Sequence, residues 1–411
     1  MKEDIARAVP VGIVLFAVFA AVLPAQTTWV VPNGVDLSPY ITQAAAGDTL
    51  ILGATHPGFV LTKGLTLRPA TGRTTIANFA IPVGMDSQLQ IPTGQKANLQ
   101  RLDFTNGGWT PWWNGGHPVL VDGVASFEDC TFQSRGPYAI RANSGATALQ
   151  RCTVTGLADC NPLEVAAGDC SAVDCTFRGS DGHGPLGSSP SHPRPGVVVL
   201  GGTFAASHST FVPGLSAVDP QGYALGPAAG LQVQGGVTRV VECTVSGADW
   251  PTGASNPAPN PGGASIRVVG GVAYHARCTL QPGIGTPPGA PTTGNASTDP
   301  ELVGITSSGA LRLGTTWTAN GTAGNSPWPF GMALWPDLAP NLVPVVTETV
   351  WGDPMWTVLD GWVPMGSGAV WSWSIAIPNS SVFVGARLYA QALHFGTTSL
   401  RVSPVVGGVV Y

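Results

Sequence analysis

The residues best suited to chemistry lie in two stretches of the 411-residue chain. In one, Asp181 precedes Gly182-His183-Gly184, with Asp159 and Arg135 upstream and Arg194 downstream. Hydrolysis of a glycosidic bond needs two cooperating carboxylates, one a proton donor and the other a base or nucleophile. Eliminative cleavage of a polyuronide would instead need an acidic Ca2+ site and an arginine or lysine to take a proton. Asp159, Asp181, His183 and Arg135 are the catalytic candidates for either scheme. Asp169 and Asp174 fall on neighbouring repeats, but Asp174 belongs to a column of alternating charge that structure alone explains. The other stretch, Gly108-Trp109-Thr110-Pro111-Trp112-Trp113-Asn114, holds three indoles in one loop. Exposed, they would stack on sugar rings, with Tyr138 and Arg194 completing a binding surface; buried, they would be ordinary packing.

These residues hang on internal repeats, a signature that takes precedence over local patterns. The phrase Glu128-Asp129-Cys130-Thr131-Phe132 returns around Cys152, Cys175, Ser209, Cys243 and Cys278, with a weaker copy at Gln100-Arg101-Leu102-Asp103-Phe104. Polar, small, threonine, apolar is a period of two, which places the cysteine and the apolar residue on the inner face of a strand. A second strand lies upstream, with Ile140, Leu163, Val197, Leu231 and Ile266 inward and Val119, Arg141, Glu164, Val198, Gln232 and Arg267 in the outward column. A glycine stands seven residues before each small position (Gly123, Gly145, Gly168, Gly202, Gly236, Gly271), where a corner calls for φ > 0. Short strands and a tightest repeat of 22 or 23 residues suit one turn of a parallel β-helix and are too short for a propeller blade. Successive copies then stack at about the inter-strand spacing of 4.8 Å. Every long insertion follows the Cys-Thr-apolar strand, so the insertions emerge at one corner. A groove is expected over the short links, its floor formed by Arg135, Tyr138 and Asp159.

The ends of the chain differ from its middle. Lys2 and Arg7 precede an apolar run from Val11 to Leu23, then Pro24-Ala25-Gln26, so residues 1–26 are expected to be a secretory signal. Ser38 and Pro39 suit the N-cap and first turn of a helix over 40–46, ended by Gly47, that would cover the first turn of the solenoid. With these features the chain resembles right-handed parallel β-helix proteins of the pectate-lyase-like superfamily over residues 28–320. That resemblance implies lyases, hydrolases or epimerases of polysaccharides, and also members without catalysis. Gly-His-Gly occurs in the similar polygalacturonases, but the Asp-Asp and Arg-Ile-Lys motifs that accompany it there are missing here. From residue 326 the pattern becomes antiparallel alternation, as in Trp371-Ser372-Trp373-Ser374, resembling a small C-terminal β-domain of secreted bacterial proteins. The expected partition is a signal at 1–26, a β-helix at 27–325 and a β-sandwich-like domain at 326–411.

Composition narrows the partners. Charged residues are only 10% of the chain, and a net charge of −5 with hardly any lysine disfavours nucleic acid and anionic membranes. Five of the seven cysteines share one inward column, pointing the same way from successive turns, which suits neither zinc nor a disulfide ladder. Cys160 and Cys170 are left over, either bridged or free. The expectation is an all-β, right-handed parallel β-helix, secreted to the extracellular space or cell surface and monomeric. It would carry no metal or cofactor, bind polysaccharide or surface glycan, and have no catalytic activity. The alternative is a polysaccharide lyase or glycoside hydrolase acting on a polyuronide, with Ca2+ required only for a lyase.

Overall fold

The computed structural model describes residues 26–77, 87–105, 117–157, 159–182, 192–218, 226–254, 260–325, 329–339, 346, 348–352, 358–364, 370–397 and 399–411. Three parallel sheets wind through the described residues as a β-helix, one with eleven strands and two with nine each. One turn shows the plan: Tyr138–Ala142 in the third sheet, Ala146–Gln150 in the first, and Thr153–Gly156 in the second. The repeat reading found only two of these strands. The missed one fills the interval between the corner glycine and the cysteine, where the side chains do not alternate cleanly. Register also moves one residue: Val119 pairs with Ile140 on the buried face, and Leu120 takes the outward place beside Arg141.

Two corners are built from left-handed backbone. At the first, Gly145, Gly168, Gly202, Gly236 and Gly271 have φ between 68° and 74°. A Cβ on Gly168 would stand 2.3 Å from the carbonyl oxygen of Gly145, and one on Gly202 2.1 Å from that of Gly168, so only glycines can stack there. The second corner uses ordinary residues. Arg101, Asp129, Arg151, Asp174, His208, Glu242 and Arg277 all have φ of 49–55°, a conformation that costs roughly 1–2 kcal/mol per residue. The corner repays part of this in hydrogen bonds: Asp129 N–H donates to Gln150 O at 3.0 Å, and Arg151 N–H to Val173 O at 3.0 Å. The period of two places these polar residues within a strand, whereas the backbone puts them at its corner.

Inside runs one apolar core from Val31 to Ala273, with Phe104 stacked on Phe132 and Phe177 on Phe211. The first turn is covered by a helix, Ser38–Gln43, which buries Ile41 together with its flanking residues Leu37 and Ala44. Ser38 is its first residue rather than its cap, and Asp36 accepts from both the N–H and the hydroxyl of Ser38.

The parallel ladder ends at Ala296–Thr298. Gly304–Ser308 and Thr316–Thr322, expected to continue the solenoid, pair antiparallel with each other, and Thr316–Thr322 pairs antiparallel with Val370–Ala376 as well. A second antiparallel group joins Pro329–Trp335, Val358–Pro364, Arg387–Phe395, Leu400–Val402 and Val406–Val409. This C-terminal part covers the outer face of the first sheet. Tyr389 donates to Asn98 at 2.6 Å, Gly407 N–H to Gln150 at 2.8 Å and Gln100 to Val409 O at 2.8 Å, and Lys96 pairs with Asp337. Gly408 passes so close that a Cβ would lie 2.3 Å from Glu128 Oε2. Glu128 is only 3% exposed; burial raises its pKa, opposed by Arg151 at 2.6 Å.

Candidate functional site

The long links all leave from the corner between the second and third sheets, as the insertion pattern required. Two short links bracket the tightest turns, Ser134 to Tyr138 and Gly156 to Asn161. His183 and the indoles of Trp109, Trp112 and Trp113 lie outside the described residues. The remaining candidates belong to this corner.

Arg135 is exposed on the first short link, whose turn is held by Gly136 N–H donating to Ser134 Oγ at 3.0 Å. Tyr138 opens a third-sheet strand and is largely buried, with the Arg141 guanidinium 5.1 Å from its ring centre. Arg141 in turn pairs with Glu164 one turn on, at 3.4 Å. Tyr138 therefore offers a covered edge, not an open stacking platform. Asp159 is exposed in left-handed backbone at φ 57° and faces Arg194 at 3.5 Å. The main chain of Arg194 is built into the corner: its N–H donates to Ser180 O and its carbonyl accepts from Gly214, each at 2.9 Å. Asp181 takes the Leu215 N–H at 2.9 Å and lies 3.2 Å from Arg178.

The structure thus joins Asp159 to Arg194 and Asp181 to Arg178. It separates the other two acids that a Ca2+ cluster would have needed. Asp169 begins a first-sheet strand and accepts from Thr349 at 2.7 Å, while Asp174 stands at the left-handed corner and accepts from Thr306 at 2.6 Å. Among the described residues no group of three or more His, Cys, Asp or Glu is arranged to hold a metal ion.

One feature of this corner escaped the sequence reading. Asp249 repeats what Asp181 does, taking the Ile284 N–H at 2.7 Å while Trp250 N–H donates to Ile284 O at 2.7 Å. The result is a column, Asp181, Leu215, Asp249, Ile284, in which acids alternate with aliphatics that are 66% and 74% exposed. The signal was present: each member stands six residues after the small position of its repeat.

Chemically, the corner offers two neutralised Asp–Arg pairs and the exposed Arg135. It can donate hydrogen bonds to hydroxyl or carboxylate oxygens. A carboxylate would have to leave its arginine before it could act as an acid or base. No protein-family model, curated protein or solved structure matches this chain.

Proposed function

We propose that this chain is a secreted, non-catalytic parallel β-helix that binds glycan or forms part of a cell surface. The observation that carries this reading is the use made of the acids on the corner links. Asp159 and Asp181 each face an arginine, and Asp181 also fixes the backbone of the next turn. An inverting hydrolase needs two carboxylates about 6.5–9.5 Å apart with room for water, and a retaining one needs them about 5–5.5 Å apart. Carboxylates engaged in holding turns together suit a scaffold better. The likeness to the pectate-lyase-like superfamily supports an extracellular setting and a polysaccharide ligand. The expected ligand-binding residues are Arg135 and Arg194, with Trp109, Trp112 and Trp113 proposed for stacking on sugar rings.

The test pairs a glycan array with a release assay on polygalacturonate. Binding without new reducing or unsaturated ends is the expected result, with binding lost in a Trp112→Ala/Trp113→Ala double variant whose thermal midpoint is unchanged. Turnover that disappears in Asp181→Asn would replace this reading with a divergent lyase or hydrolase.

A further inference from the structure

Among the described residues, nine arginines sit in ion pairs with carboxylates. Of the five that do not, Arg135, Arg267 and Arg312 are exposed, whereas Arg68 and Arg101 are half-buried. These two are also neighbours. Leu67 pairs with Leu99, so Arg68 lies one strand before Gln100 in the outward column of the first sheet. Arg101 follows Gln100 directly, at the left-handed corner with φ 52°.

Among the described residues, the neighbouring side-chain carboxylates are committed elsewhere. Asp129 accepts two hydrogen bonds from Arg151, at 2.7 and 3.1 Å. Glu128 accepts from Arg151 at 2.6 Å and from Gln100 at 2.8 Å. Asp103 is held by Arg73 at 2.6 Å. The ring of Tyr411 lies against Arg101, its centre 4.6 Å from Arg101 Cζ. The main chain of Tyr411 is turned the other way, donating to Leu311 O and accepting from Leu313 N–H, both at 3.0 Å. Arg101 Nε is buried with no hydrogen-bond partner. Burial, and then the like charge of Arg101, lowers the pKa of Arg68.

Two adjacent guanidinium groups withdrawn from water without a counter-ion are costly. Their forked donors match the two oxygens of a carboxylate or sulfate. We propose that Arg68 and Arg101, with Tyr411 against Arg101, form a binding site for an oxyanion of the carboxylate or sulfate type. The oxyanion is either a free anion or a group carried on an acidic glycan, and only the glycan source rests on the function proposed above. The site is on a different corner from the Asp159 and Asp181 links and needs neither of them.

The experiment titrates the full-length protein, at low ionic strength, with sodium sulfate and separately with hexagalacturonate, followed by calorimetry and thermal midpoint. Both probes should bind and raise the midpoint. Arg68→Gln and Arg101→Gln should each weaken binding at least tenfold, whereas Arg267→Gln should not. If a Gln variant loses its folded circular-dichroism signal, Arg68→Lys decides: it keeps the charge but not the fork, and unchanged affinity would overturn the site. Sulfate binding without hexagalacturonate binding establishes the site and overturns the glycan source. No binding of either probe, or equal loss in Arg267→Gln, overturns the proposal. A positive glycan array with unaffected Arg68→Gln and Arg101→Gln variants would leave the proposed function standing and remove this site alone.

Discussion

The backbone N–H of Cys152 points at the sulfur of Cys175 one turn on, at 3.4 Å, and the N–H of Cys175 points in the same way at the hydroxyl of Ser209, at 3.1 Å. Each small side chain also donates to the carbonyl two residues back, Cys175 to Val173 at 3.2 Å and Ser209 to Ser207 at 3.0 Å. The column therefore holds residues that are small and can hydrogen-bond at one atom past Cβ. This is more than the apolar packing that its burial suggested, since it gives a buried N–H at the left-handed corner the partner it requires.

Replacing Cys152 by serine should accordingly change stability little, within about 1 kcal/mol, because Ser209 already does the same work in the same column. Alanine should cost on the order of 1 kcal/mol through lost volume and a lost hydrogen-bonding atom. Aspartate should prevent folding, because a charge there would be buried with no counter-ion. Urea denaturation of the three variants should give that order.

The thiols should be reduced and shielded. All seven cysteines are free, including Cys160 and Cys170, and six are buried. Burial pushes the Cys160 thiol up to about 12. Cys278, on the last full turn, is only half-buried, and its hydrogen bond with Cys243 lowers its pKa. Iodoacetamide should label Cys278 first in native protein and every cysteine in urea without prior reductant. Mass spectrometry showing a disulfide among Cys130, Cys152, Cys175, Cys243 and Cys278 would refute the inward register.

Stability should vary with pH through His208 and Glu242, whose Nε2 and Oε2 lie 2.7 Å apart. Burial works to raise Glu242, but His208 and Arg277 outweigh it and lower the carboxyl to about 2. Contact with Glu242 raises His208 above its ordinary 6.5, against burial. The Glu242 contribution is complete above its ordinary 4.5 and is lost as pH falls toward about 2. The His208 contribution is complete below 6.5 and is lost as pH rises through its raised value. Wild type should therefore exceed His208→Gln in thermal midpoint most clearly between pH 4.5 and 6.5. A gap that widens above that window would contradict the pairing.

Gly168→Ala should be far more harmful than Gly253→Ala, although both positions have positive φ, 74° and 81°. At Gly253 a Cβ meets nothing within 4 Å, leaving only backbone strain of about 1 kcal/mol. At Gly168 the same strain is joined by a carbonyl 2.3 Å away, which belongs to Gly145, the preceding glycine of the stack. Equal losses in thermal denaturation would mean that the stack can relax.

Cleavage between residues 322 and 329 should not release a separate C-terminal fragment. Antiparallel pairing ties Thr316–Thr322 to Val370–Ala376 across the cut. Gln100, Gln150 and Ser171 also bond across the cut, to Val409 O, Gly407 N–H and Val405 N–H, and Gly408 packs closely on Glu128. The nicked protein should run as one species on a native gel and separate only in denaturant. Dissociation without denaturant would make the two parts independent domains.

The period of the repeat and three of its positions were legible from sequence because stacking imposes the same demand on every turn: a glycine where only hydrogen fits, a small hydrogen-bonding residue at Cys130 or Ser209, an apolar residue at Phe132 or Val154. Such requirements recur at fixed spacing and so survive as pattern. The corner at which insertions leave was legible for the same reason, as was the registration of Arg141 against Glu164. What stayed hidden was whatever a partner distant in sequence decides. Arg101, Arg151 and Glu242 are not residues that announce left-handed backbone, and only the hydrogen bonds to the next turn hold them there. The strand Ala146–Gln150 does not alternate because both its faces are covered, the inner by the core and the outer by residues from the end of the chain. Asp159 meets Arg194 across 35 positions, and Arg101 meets Tyr411 across most of the chain, so no local spacing records either encounter. Local rules set the shape of each turn, and tertiary contact alone decided which charges are neutralised and that, among the described residues, Arg68 and Arg101 are half-buried without a carboxylate.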